Sequence, residues 1–244
     1  MNELYLVRFQ PDMRAFALWA LRRGLLHKDV DEGYAWHAVL KAALGDIAPK
    51  PFVVRERERR IELLGYCPQD PAQFPVLTQD PEAVQVVGLD RNIQSRAMPS
   101  SWQQGQLLSF EVRVRPVVRV KPTREAPSRE VDVALRARAR DATMTRDAAY
   151  EAWLNTELAR GGAAELCQYR PMRFRRCKVL RPTQARDNGK GRERHAVEGP
   201  DLTVRGELRI NNPEAFSALL ARGIGRHRAF GFGCLLLAPP GVLR

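Results

Sequence analysis

Tyr34, His37 and Lys41 stand three and seven residues apart in the stretch YAWHAVLKAAL, where Trp36, Val39, Leu40 and Ala43 form an apolar stripe. On a helix, that spacing gathers the three polar side chains on one face, turned away from the stripe. An imidazole with the ordinary pKa of about 6.5 takes or gives a proton near neutrality. A phenol and an ammonium beside it supply a hydrogen bond and a charge. His27 and the pair Arg22 and Arg23 come just before, at the turn feeding this helix, and border the same surface. Such a set suits proton transfer next to an anion. A lone histidine is more often a bystander, but the basic context of this chain shifts that balance.

Two further stretches concern anions. GIGRHRAFGFG, residues 223–233, is a glycine-rich loop whose backbone N–H groups can approach a phosphate closely. Dinucleotide and P-loop fingerprints need a strand before the glycines and a helix after them; here a helix comes first and a strand follows, which excludes both. The loop then reads either as a support for an RNA or peptide backbone, with Arg226, His227 and Arg228 projecting, or as a tight connection whose glycines merely permit close packing. Between residues 170 and 194, ten Arg or Lys residues face only Asp187 and Glu193. Phosphate contacts from such a run supply salt-sensitive affinity without sequence preference, and arginine adds bidentate geometry.

The whole chain shares this bias. It has 244 residues, 40 Lys and Arg against 28 Asp and Glu, and a formal net charge of +12. A hydrophobic share of 44% excludes a disordered acidic chain, and the net charge makes a polyanion the natural partner. No apolar run reaches the length of a membrane span, and Met1 leads straight into the alternating LYLVRF, so the expected location is cytoplasmic, with no membrane partner. Cys67, Cys167, Cys177 and Cys234 form no CxxC pair and only four histidines are present, so neither structural zinc nor a disulfide framework is expected.

The elements that must carry these residues can be read from periodicity. LYLVRF (4–9) reads as a strand, followed by a helix after Pro11 and Asp12 with Phe16, Trp19 and Ala20 inward and Gly24 as its stop. The histidine helix starts with Asp31 as N-cap and ends at Gly45. Two strands fall between 52 and 66, a short helix at PEAVQVV, and a long strand over 107–120, where Phe110, Val112 and Val114 alternate with Glu111, Arg113 and Arg115. The order over the first 120 residues matches a ferredoxin-like unit. Residues 122–162 read as a basic helical arm in which Arg129, Arg136 and Arg140 share one side, and Ala149, Trp153 and Leu158 face a core. A solvated face is the plainer account of those arginines. Beyond it, MRFRRCKVL and LTVRGELRI are strands, Asn212 and Pro213 open a helix over PEAFSALLAR that Gly223 ends, and CLLLAP is a last strand.

VRGELRINNPEAFSALLARGIGRHRAFGFGCLLLAP resembles the C-terminal signature of the CRISPR repeat-RNA endoribonucleases of the CasE type. LYLVRF with YAWHAVLKAAL resembles that family's opening strand and histidine helix, GQLLSFEVRVRPVVRVKP its central strand, and DAAYEAWLNTELARGG its mid-chain helix. The basic stretch over 122–145 is longer than expected for that branch, which keeps open the divergent variant of type IV systems, in which arginines would supply what histidine supplies elsewhere. The resemblance implies an α+β fold of two tandem ferredoxin-like (RRM-like) domains, 1–121 and 122–244, with a basic helical insertion. It implies binding of a CRISPR repeat RNA hairpin, assembly with other CRISPR ribonucleoprotein subunits, and one cut without metal or other cofactor. The family's helix histidine falls on His37 and its supporting tyrosine on Tyr34.

In that reading the 2′-hydroxyl beside the scissile phosphate attacks in line. His37 moves one proton, Tyr34 or His27 moves or positions the other, and Arg22 or Arg23 holds the phosphorane. Lys41, Arg173, Arg175, Arg176, Lys178, Arg226, His227 and Arg228 are the phosphate-contact candidates, with Arg129, Arg136 and Arg140 reaching along the stem. The competing readings are a non-catalytic RNA-binding subunit of a CRISPR ribonucleoprotein and a general double-stranded nucleic-acid binder.

Overall fold

The computed structural model describes residues 3–57, 60–71, 74, 80–89, 93–121, 128–182 and 194–242. The loop between the two long C-terminal strands, with much of the basic run, lies outside the described residues, as does the start of the expected arm at 122–127.

The chain opens with β1 (Tyr5–Phe9) and α1 (Met13–Arg22), whose N-cap Asp12 accepts the Ala15 N–H. Then follow β2 (Val30–Asp31), α2 (Gly33–Leu44), β3 (Phe52–Arg57), β4 (Arg60–Cys67), α3 (Pro81–Val87) and β5 (Gln94–Ala97). β3, β4, β1 and β5 form an antiparallel sheet in that order, the strand order of a ferredoxin-like unit. Alternation along β1 sends Val7 and Phe9 into a core shared with Phe16 and Trp19 of α1, Trp36 and Leu40 of α2, and Val86 and Val87 of α3. Phe16 stacks on Trp36 with ring centroids 3.7 Å apart. The apolar stripe of the histidine helix is therefore what fastens α2 to its sheet.

The second half comprises β6 (Leu107–Val114), β7 (Val117–Val120), β8 (Arg129–Asp132), α4 (Val133–Arg138), α5 (Arg146–Leu158), β9 (Ala164–Pro182), β10 (Arg194–Ile210), α6 (Pro213–Arg222) and β11 (Leu236–Ala238). Its sheet runs β11-β6-β10-β9-β2, a second ferredoxin-like order with one strand added at the edge. Phe110, Val112 and Val114 of β6 face one core with Leu202, Val204, Tyr150, Leu154, Phe216 and Leu220. Asn212 caps α6 by accepting the Ala215 N–H, with Pro213 at its first turn. The tandem ferredoxin-like architecture thus stands as expected from the resemblance.

Three details differ from the sequence reading. The strand read as closing the first unit, β6, opens the second sheet, so the chain changes sheets between Ala97 and Leu107, ahead of the expected division at 121/122. Periodicity sees which face of a strand is buried, but not which strand lies beside it. The described part of the arm is no continuous helix: β7 and β8 form a hairpin, α4 is short, and α5 is the first helix of the second unit. Arg129 therefore lies on a strand, Arg136 on α4 and Arg140 in the turn after it, and the three do not share a helix face. Valines 117, 118, 120 and 131 favour the pleated pairing, and Asp132 starts α4 only after it by accepting the Ala134 N–H.

Asp31 is the third difference. The N-cap position of α2 is Glu32, which makes no side-chain cap bond. Asp31 accepts the Gly33 N–H through Oδ1 (2.9 Å) and the guanidiniums of Arg113 (2.5 Å) and Arg175 (3.3 Å) through Oδ2. Arg113 also binds Asp201 bidentately at 2.9 and 2.8 Å. With β2 paired to Lys178 and Val179 of β9, this cluster ties the start of α2 to the second sheet.

Asp31→Ala should therefore cost about 2 kcal/mol, the worth of a charge-assisted hydrogen bond, because Arg113 keeps Asp201. Arg113→Leu leaves the two buried carboxylates sharing Arg175 alone and should cost more, about 3 kcal/mol. Urea unfolding midpoints at unchanged slope check both magnitudes and their order.

Candidate functional site

A cleft of about 700 Å³ opens between the glycine-rich loop, the β7–β8 hairpin, the C-terminal end of α5 and Lys50. Lys50, Arg119, Arg136, Arg160, Arg226 and Arg228 line it, against the carboxylates Glu130 and Glu157. Both carboxylates are committed to holding the loop. Glu157 accepts the Gly225 N–H (3.1 Å) and Arg160 (2.6 Å). Glu130, on β8, accepts Arg226 Nε at 2.9 Å and pairs with His227 Nε2 at 2.8 Å. The loop closes on itself at Ile224 and Gly233. A Cβ at Gly233, whose φ is +77°, would stand 2.1 Å from the Ile224 carbonyl oxygen, so no other residue fits there.

The same loop touches the histidine helix. Gly33, at the first turn of α2, lies so near the Phe230 carbonyl that a Cβ would stand 2.1 Å from its oxygen. Phe230 lines the cleft, and three polar rings surround its own: His37 edge-on at 5.6 Å, Tyr34 at 5.9 Å and His227 at 6.0 Å. Burial, then the charges of Lys50 and Lys41, lower the pKa of His37 below 6.5. Half-buried His37 therefore favours its neutral form, the form able to accept a proton.

Tyr34 and His37 thus converge on Phe230, whereas exposed Lys41 is paired with Asp46. Arg22 and Arg23 turn to the N-terminal end of α3. Arg22 meets Glu82 at 3.5 Å, and Arg23 meets Asp80 and Glu82 at 3.5 Å each while lying 4.2 Å over Trp19. His27 is exposed in the loop after α1. No contact among the described residues joins Arg22, Arg23 or His27 to His37, so the three do not gather with it.

The basic candidates are also distributed. Alternation along β9 puts Arg173 and Arg175 on one face and Arg176 and Lys178 on the other. Arg173 and Lys178 are exposed; Arg175 binds Asp201 and Asp31, and Arg176 binds Glu198 at 2.8 Å. Arg136, Arg226 and Arg228 line the cleft, and Arg129 and Arg140 are exposed outside its lining. Arg228 donates to the Arg222 carbonyl at the end of α6 (2.8 Å). His227 does not project: its side chain is 4% exposed, because a left-handed backbone at φ +60° folds the imidazole back onto Glu130. Glu130, Glu157, Lys50 and Phe230 were not singled out from sequence. The one available signal was two acidic residues kept within strongly basic surroundings.

Asp31, Cys177 and Asp201 bring three ligand atoms within 4.8 Å of one another. Arg113 and Arg175 already occupy both carboxylates, and burial raises the Cys177 pKa, so a cation would meet two guanidiniums and a thiol instead of a thiolate. These residues do not fit a metal.

The family model for "CRISPR associated protein" matches residues 4–239. The chain belongs to this family. Solved structures of similar fold include CRISPR endoribonuclease Cse3 bound to 19 nt RNA, at 19% identity and a TM-score of 0.65, covering 97% of this chain and 100% of that one. Cas6e from Escherichia coli str. K-12 matches at 19% identity and 0.56, covering 96% and 99%. A chain of a CRISPR RNA-guided surveillance complex matches at 18% and 0.50, covering 96% and 99%. Comparison with curated proteins gave no match. For this member of the family, no helix among the described residues is long and apolar enough to cross a membrane.

Glu130 links the loop to pH. Burial pushes its pKa up, but the hydrogen bonds and charges of His227 and Arg226 prevail and hold it at about 2, from 4.5. A carboxyl group whose pKa falls on folding adds stability above its unfolded value and loses it as pH falls through the folded one. Unfolding of wild type should therefore become easier between about pH 4.5 and pH 2, and Glu130→Gln should flatten that limb. Denaturant titrations across this range measure the slope.

Proposed function

We propose that this chain is an endoribonuclease that cleaves the repeat hairpins of CRISPR precursor RNA to give mature crRNA. It stays bound to its product and joins other subunits of a CRISPR ribonucleoprotein. The observation that carries this reading is His37 set edge-on against Phe230 at the edge of a cleft lined by six Lys or Arg side chains. Family membership and the likeness to Cse3 and Cas6e folds support it.

RNA supplies its own nucleophile, so the reaction needs only proton transfers and a cation. His37, in its neutral form, takes the 2′-hydroxyl proton as the oxygen attacks phosphorus in line. Tyr34, on the same Phe230 ring, suits the positioning role better than exposed His27. Lys50 lines the cleft and its charge reaches His37, so it suits the phosphorane better than Arg22 or Arg23, whose guanidiniums are paired with Asp80 and Glu82. As the O2′–P bond forms the P–O5′ bond breaks, the 5′-oxygen takes a proton from water, and the products are a 2′,3′-cyclic phosphate and a 5′-hydroxyl. The stem is held by shape and phosphate contacts, as for any A-form helix.

His37→Ala should lower single-turnover cleavage of repeat RNA by about 10²- to 10⁴-fold with little change in affinity. Wild type should cut in EDTA and leave intact a substrate with deoxyribose at the scissile position. Intact RNA under tight binding by wild type would instead make the chain a non-catalytic RNA-binding subunit. Cleavage of the deoxy substrate, or its loss on chelation, would refute the chemistry.

The pH profile gives a second check. The acid limb of kcat/KM should lie below pH 6.5, and Lys50→Met, by removing a neighbouring positive charge, should shift it upward while lowering the plateau.

A further inference from the structure

A second concavity, of about 660 Å³, lies beside the cleft, with α4 as the ridge between them. Arg136 of α4 faces the cleft, while Leu135 and Arg138 of the same short helix line the second concavity. Its wall is aromatic: Phe174 of β9 and Tyr150 of α5 stand with ring centroids 6.1 Å apart. The Arg146 guanidinium carbon lies 4.0 Å over the Phe174 ring.

Arg146 is placed against its local electrostatics. It occupies the first turn of α5, where the helix dipole disfavours a cation. Its own carboxylate neighbour, Asp147, is 3.5 Å away, and the Arg146 side chain remains 45% exposed. The guanidinium lies over Phe174 and is part of the lining of the concavity. Leu135, 56% exposed, adds an apolar edge that packs on nothing sufficient to cover it. Arg138 and Arg176 also line it, Arg176 held by Glu198 at 2.8 Å, as do the carboxylates of Asp132, which accepts the Tyr150 hydroxyl, and Asp147. A flat cationic platform, an apolar edge and these further guanidiniums together suit an unstacked nucleobase with its phosphate.

We infer that this concavity holds an unpaired nucleotide flanking the repeat stem, its base stacked on Arg146 with Leu135 at its edge and its phosphate toward Arg138 and Arg176. The inference rests on the proposed function, because it takes the stem to lie in the neighbouring cleft. The strand leaving the stem then crosses the α4 ridge, and the protein measures unpaired sequence beside the hairpin as well as the hairpin itself.

The test uses two uncleavable repeat hairpins with deoxyribose at the scissile position. One ends at the base of the stem and the other carries about four unpaired nucleotides at each end. Anisotropy at fixed salt reads their affinities for the full chain. Wild type should bind the extended RNA about tenfold more tightly, the worth of about one stacked base. Arg146→Lys, which keeps the charge and loses the plane, should abolish that advantage and leave the blunt hairpin unchanged, as should abasic flanking nucleotides with wild type. An advantage that survives Arg146→Lys or abasic flanks would overturn the inference, as would an equal loss on both hairpins. If neither hairpin outcompetes unrelated RNA, the proposed function itself fails, and the subsite with it.

Discussion

The arrangement of this protein hangs on the carboxylate of Asp31. It sits two residues before Tyr34's helix turn, on a two-residue strand that pairs not with its own sheet but with β9 of the other one. One oxygen orients the first N–H of α2 and the other accepts Arg113 and Arg175 from the second sheet. A helix packed only on its own unit would be free to shift with that unit. This one is fixed from both sides, by apolar burial beneath and by a charge cluster at its N-terminal end. The relative position of His37 and the glycine-rich loop follows from that constraint.

The loop is positioned by a complementary device. Its chain turns through left-handed conformations that leave backbone groups free, and two carboxylates, Glu130 and Glu157, accept from it. Because Glu130 comes from the β7–β8 hairpin and Glu157 from α5, the inserted hairpin becomes part of the cleft wall. Two buried acidic groups in a chain of net charge +12 do not dilute the cationic surface. They pair with Arg226, His227 and Arg160, while Lys50, Arg119, Arg136 and Arg228 also line the cleft. Phe230 completes the join by placing one apolar ring between the histidine of α2 and the histidine of the loop.

Local signals in the chain went far. The cap at Asn212, the alternation along 107–114 and the apolar stripe of the histidine helix read true, because each depends on residues a few positions apart, and the tandem ferredoxin-like class followed from the resemblance. What failed were statements about partners. Arg129, Arg136 and Arg140 have helical spacing only if the backbone is helical throughout, and Asp132 starts the helix too late for that. Arg22, Arg23 and His27 are near the histidine helix in sequence, but the α1 end turns toward Asp80 and Glu82.

Composition and periodicity by themselves determined a basic α+β chain suited to a polyanion, with a histidine on the polar side of an amphipathic helix. Only the tertiary structure decided that β6 belongs to the second sheet, that His227 turns inward to Glu130 while Arg136 lines the cleft, and that the charge of Lys50 reaches His37. The division has a physical cause. Helix caps and strand alternation are set by neighbours along the chain, whereas strand pairing, ion-pair choice and pKa depend on groups that distant segments bring together. The same guanidinium is therefore a free phosphate ligand or a buried strut according to which carboxylate the fold carries to it.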